Sequence, residues 1–168
     1  MKEKRVQMKR CFKRNLLLSL GLMVLFCVAG AVQAAQPPQP PPPRFQEVAG
    51  SNGSIIRDNN TGLEWQRCAY GLSWTGSGCS GAAWEGTWED AVRITAPGGF
   101  RLPTIDELKT LHSYDRSIFP GAKLNEFWSS SPDANDIHCA WFFNFYDGSV
   151  TSYGKGDRNL VRLVRGGQ

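Results

Sequence analysis

The apolar positions of the chain fall into short runs with two different periods. Residues 54–57 (SIIR) and 63–66 (LEWQ) flank Asp58-Asn59-Asn60-Thr61-Gly62, whose residues accept turn and left-handed conformations, and this predicts a β-hairpin. In Thr87-Trp88-Glu89-Asp90-Ala91-Val92 a hydroxyl cap precedes acids in the first turn. Trp88, Ala91, Val92 and Thr95 then share one face of a short amphipathic helix that Pro97-Gly98-Gly99 stops. Thr104-Ile105-Asp106-Glu107 has the spacing of a capping box and opens a second helix burying Ile105, Leu108 and Leu111. Beyond Pro120 the pattern becomes that of strands, around residues 127–129, then 140–146, then 149–153, with Asp147-Gly148 as a hairpin turn. A last strand over residues 159–165 completes the sheet. Strand, strand, helix, helix, strands is the order of an α+β domain with two short helices and a mainly antiparallel sheet.

Two segments stand outside this pattern. Residues 16–32 carry no charge, follow a basic stretch and lead into Val32-Gln33-Ala34, so residues 1–34 read as a secretory signal peptide and the protein as exported, to the periplasm, the cell surface or the medium. Uncleaved, the same run is long enough to anchor the chain, and only in that case does a membrane become a partner. Met8 is an alternative start to Met1, with a more compact basic region behind it. Residues 35–44 contain QPPQPPPP, which favours an extended polyproline II spacer and cannot join a core. Residues 45–168 are then the folded part, enough for one core and too short for two, with no internal repeat and no Gly-X-Y period.

Charge changes the picture once the N-terminus is set apart. The 168 residues carry 19 Lys and Arg against 15 Asp and Glu, but seven of the bases and only Glu3 among the acids precede residue 15. The remainder carries a net charge of −2, which excludes a globally cationic nucleic-acid binder. Of five cysteines, Cys11 and Cys27 fall in the signal segment. Cys68 and Cys79 enclose a Gly/Ser-rich loop that can bring its ends together, and a disulfide between them would stabilise the domain by roughly 2–3 kcal/mol. Cys139, beside Ala140-Trp141-Phe142-Phe143, reads as a buried free thiol, with an intermolecular bridge or a reactive thiol as alternatives.

Five strings in order carry a resemblance over nearly all of the folded part: Thr61-Gly62-Leu63-Glu64-Trp65-Gln66-Arg67-Cys68, Thr87-Trp88-Glu89-Asp90-Ala91, residues 98–108 (GGFRLPTIDEL), Phe127-Trp128-Ser129-Ser130-Ser131, and Val161-Arg162-Leu163-Val164-Arg165. Together they resemble the Lcl C-terminal domain family, the terminal domain of a bacterial collagen-like adhesin. The resemblance implies a C-type-lectin-like fold related to the formylglycine-generating enzymes. For the adhesin it implies a homotrimer and sulfated glycosaminoglycan ligands. This chain departs from the adhesin in lacking collagen repeats, in carrying Leu163 where the family often has Cys, and in its net negative charge.

Catalytic, metal and cofactor chemistry find little to work with. His112 falls at the end of the second helix, where an imidazole caps carbonyls. His138 and Cys139 are neighbours on a strand and point to opposite faces, so they do not form a nucleophilic pair. Ser129-Ser130-Ser131 with His138 and Asp133 or Asp136 lacks a nucleophile elbow, and the cysteine pair that an oxidase would need is spent on the loop. Asp133, Asn135 and Asp136 offer hard oxygens for calcium, but without an EF loop or a lectin tripeptide they read as a turn. No catalytic residue, metal ligand or cofactor is assigned. Binding is the better fit: Tyr70, Trp74 and Trp84 are aromatic platforms held near the surface by Gly/Ser-rich surroundings, while Trp65, Trp88, Trp128 and Trp141 read as core. Lys155, Arg158, Arg162 and Arg165 form the most basic stretch, with Arg162 and Arg165 on opposite sides of a strand, so that one of the two serves a structural ion pair. The expectation is a non-enzymatic, adhesin-like module binding an extracellular or envelope glycan; the alternative is a structural module that contacts an envelope protein and has no sugar site.

Overall fold

A computed structural model of the chain describes residues 40–112, 117–121 and 126–166. The elements in order are β1 (Phe45–Glu47), β2 (Ile55–Asp58), β3 (Glu64–Gln66), β4 (Leu72–Trp74), β5 (Cys79–Gly81), β6 (Glu85–Gly86), α1 (Trp88–Ala91) and α2 (Ile105–Lys109). They continue with β7 (Glu126–Pro132), β8 (Cys139–Asn144), β9 (Val150–Gly154), β10 (Asn159–Leu160) and β11 (Val164–Arg165). The α+β class and the two short helices are as the sequence predicts. The one sheet expected is instead divided among three: β1-β2-β3-β11, β6-β10-β7-β8-β9, and the hairpin β4-β5. Among the described residues all strand pairings are antiparallel except β10 with β7.

The predicted hairpin forms, with Ile56 opposite Trp65, both buried. Both helix caps form as well. Thr87 accepts from the Asp90 N–H, and Thr104 with Glu107 makes a complete capping box, each hydroxyl filling a backbone donor that the first turn leaves open. The first helix is shorter than its pattern suggests. It ends at Ala91, so Val92 and Thr95 are exposed, and Ile94 takes the inward place expected of them.

The predicted strand over residues 159–165 is two strands in two different sheets. β10 lies between β6 and β7, and after Val161-Arg162-Leu163 the chain enters the other sheet as β11, beside β3. The crossing segment is anchored by the Tyr70 N–H to the Val161 carbonyl at 2.8 Å and the Gln66 N–H to the Leu163 carbonyl at 3.0 Å. Two apolar clusters lie on either side of it. One gathers Ile56, Trp65, Leu108, Leu111, Phe119, Phe127, Phe143 and Phe145; the other gathers Ala91, Phe100, Leu102, Trp128, Phe142, Val161 and Leu163. Trp65 and Trp128 are core as expected, whereas Trp88 and Trp141 are only half-buried.

Candidate functional site

The Cys68–Cys79 disulfide is present, and it ties Cys68 to the turn end of the β4-β5 hairpin, where Trp74 stands opposite Cys79. Gly71 begins that hairpin at φ +90°, and a Cβ there would come within 2.6 Å of the Ala82 carbonyl oxygen and 2.8 Å of the Trp84 amide. Only glycine admits so close an approach of backbone to backbone. The Trp84 N–H donates to the Tyr70 carbonyl at 2.8 Å, and the two rings meet edge to face with centroids 6.4 Å apart. A run without clear alternation is thus shaped by a covalent clip and a glycine.

The hairpin forms one wall of a groove of about 630 Å3, a size ordinary for a small-ligand site. Tyr70, Leu72, Ser73 and Trp74 line that wall; Ser51, Asn52, Ser54, Ile55 and Gln66 come from the loop before β2 and from β2 and β3; Ala96, Pro97 and Phe100 close the far side. Two of the three aromatic candidates therefore share a site. Trp74 is fixed there by its neighbours: the Arg67 guanidinium lies 4.2 Å over its ring, and Gly53 leaves only 3.0 Å between a Cβ and the indole nitrogen. The Arg67 charge is taken up by Glu47 at 2.8 Å. Asn52 occupies the left-handed region at φ 51°, which asparagine tolerates better than most side chains. The Ser51 and Ser54 hydroxyls donate to the Val48 and Ser51 carbonyls, and the Ser51 hydroxyl also accepts from the Ile55 N–H at 3.4 Å, which leaves each hydroxyl a lone pair for a ligand.

Trp84 lines a different groove, of about 420 Å3, with Glu85, Gly86, Asp90, Arg93, Ile94 and Arg158. Its ring lies over Gly86, where a Cβ would stand 2.4 Å away. The Tyr70–Trp84 contact joins the walls of the two grooves, and the second mixes two acids with two bases.

The four cations of the most basic stretch have separate partners. Lys155 donates to the Ile137 carbonyl and sits 4.5 Å over the Trp88 ring; Arg158 donates to the Glu85 carbonyl. Arg165 is the structural ion-pair partner, on Glu64 at 2.7 Å. Arg162 is wholly buried, donating to the Gln66 and Arg67 carbonyls with its guanidinium over the rings of Phe119, Phe127 and Phe145. Its place among the ligand-binding candidates is therefore withdrawn, because a side chain with no accessible surface cannot touch a ligand.

The residues considered for chemistry have structural duties. The Ser129 hydroxyl donates to the Trp141 carbonyl, and the Ser131 hydroxyl accepts from the Ile105 N–H at the start of α2. Asp133 and Asp136 accept from the N–H groups two residues on, which makes turns of that loop; the Asn135 N–H and the Ser152 side chain hold the Asp133 carboxyl below its ordinary pKa. His112 lies against Gly148, where a Cβ would stand 1.8 Å from Nδ1. Cys139 is free and partly exposed rather than buried. Loss of water first, and the Asp136 carboxylate next, push its thiol above the ordinary value and away from the reactive thiolate. Among the described residues no three His, Cys, Asp or Glu side chains gather as metal ligands.

The loop Gly50-Ser51-Asn52-Gly53-Ser54 was the part of this site that sequence reasoning missed. Its signal was two glycines around Ser-Asn directly before a strand, the composition of a backbone-defined binding loop. Among known families, the model of the Lcl C-terminal domain matches residues 54–165, a span that begins just after Ser51 and Asn52 and takes in every element from β2 to β11. No protein of curated function matches the chain.

Proposed function

The chain belongs to the Lcl C-terminal domain family, and from that premise we propose that it is an exported, non-enzymatic, adhesin-like module that binds an extracellular or envelope glycan in the groove between the disulfide hairpin and the loop before β2. The observation that carries this reading is the composition of that groove. Tyr70 and Trp74 stand beside the side chains of Ser51, Asn52, Gln66 and Ser73, which combines apolar ring surface with hydroxyl and amide groups. Sugars present both kinds of surface at once, a C–H face that stacks and a rim of hydroxyls. The disulfide supports an oxidising compartment. The raised thiol pKa of Cys139 and the structural duties of Ser129 and Ser131 support binding over catalysis.

A screen of the purified protein on immobilised glycans tests the reading. Binding to at least one glycan class, weakened about tenfold by Trp74→Ala in a sample that remains folded by circular dichroism, is the expected result. A folded protein that binds no glycan would overturn it. That outcome would favour the second reading, a protein-contact module, for which Ile137 at 79 % exposure and Tyr146 at 60 % offer apolar surface.

A further inference from the structure

We infer that the ligand of the Tyr70–Trp74 groove is an uncharged saccharide, bound by ring stacking and by amide and hydroxyl hydrogen bonds without any ion pair. The inference rests on the glycan reading and adds the ligand's chemical class. Among the described residues, none that lines the groove is Asp, Glu, Lys, Arg or His. An anionic sugar entering it would give up water without meeting a cation, a cost that sulfated or carboxylated ligands recover only against Arg or Lys. The guanidinium closest to the aromatic wall, that of Arg67 over Trp74, is already neutralised by Glu47.

The other cations of the described residues repeat this pattern. Arg44, Arg57, Arg93, Arg101, Lys109 and Arg165 each face a carboxylate. Lys155 and Arg158 stand on carbonyls away from the groove, and Arg162 is buried. A neutral sugar needs none of them. Its apolar face can stack on Tyr70 or on the part of Trp74 that Arg67 leaves open, and its hydroxyls can donate to Ser51 and Ser54 and exchange hydrogen bonds with the Asn52 amide.

The test is titration of the purified protein with neutral oligosaccharides of glucose, galactose, mannose and their N-acetylamino sugars, beside heparin and chondroitin sulfate, at about 50 and 500 mM NaCl, salts that differ severalfold in screening length. Expected is binding of a neutral probe that changes less than about twofold between the two salts. Trp74→Ala should weaken it roughly tenfold or more. Asn52→Gly keeps the left-handed backbone and deletes only the amide, so it should weaken binding by a few-fold and decides the matter if the tryptophan variant does not fold. Binding confined to the sulfated probes and collapsing at high salt would overturn the inference and keep the glycan reading. Neutral binding untouched by both variants would overturn the inference by moving the site elsewhere. No binding by the folded protein to any probe would overturn both.

Discussion

Arg162 shows how far a single residue's role can lie from its local sequence. Lys155, Arg158, Arg162 and Arg165 stand within eleven positions, and a strand read with period two puts alternate side chains outside. The alternation fails because Val161, Arg162, Leu163 and Val164 are all buried, the chain there being sandwiched as it passes between sheets. Its acceptors, the Gln66 and Arg67 carbonyls, lie some 95 residues earlier, so no local window reveals them. Replacing Arg162 with Met should leave those carbonyls without their donor and lower the unfolding free energy by at least about 2 kcal/mol. Lys155→Ala and Arg158→Ala should each change it by less than about 0.5 kcal/mol. Urea unfolding of the three variants checks the contrast.

Elements set by local chemistry were legible in the sequence, and those set by distant partners were not. Thr87 and Thr104 cap their helices from within a single turn, and the β2-β3 hairpin is specified by the turn cluster between its strands. β6, β10 and β11 are two residues each and exist only through their neighbours, so β6 went unannounced and β10 and β11 read as one strand. β4 and β5 are intermediate: the disulfide was readable from the loop composition, whereas the hairpin inside it was not. Because that bond ties the hairpin carrying Trp74 to the residues beside Tyr70, reduction acts on the groove as well as on stability. Treatment with dithiothreitol should lower the unfolding free energy by about 2–3 kcal/mol. It should also weaken glycan binding at temperatures where circular dichroism reports an intact fold. Undiminished affinity of the reduced, folded protein would mean that the loop holds its shape without the clip.

At the scale of the whole molecule, most of the charges among the described residues are organised as pairs rather than as a field. Burial acts to raise the pKa of Asp58, but the Arg44 guanidinium and the Asn60 N–H outweigh it and hold the carboxyl below its ordinary value. Glu107 behaves alike: burial is opposed and overcome by Arg101 and the Thr104 N–H. Both folded-state values lie below those of the unfolded chain, so the pairs stabilise fully above the ordinary carboxylate range and lose that contribution as pH falls through it. The urea midpoint should therefore hold between about pH 7 and 5 and decline below about pH 4, less steeply in Asp58→Asn, which starts from a lower plateau. The α+β class was legible at this scale because helices and strands have distinct periods. The division into three sheets was not, since it depends on where the last residues cross. That crossing has a temporal consequence. A chain emerging N-terminus first can assemble β1-β2-β3 and β7-β8-β9, yet β3 keeps an open edge and β6 has no strand to pair with until residues 159–165 arrive. Closure waits on contacts nearly a hundred residues apart, a topology that folds late and slowly, so the two larger sheets lock only when the final strands are in place.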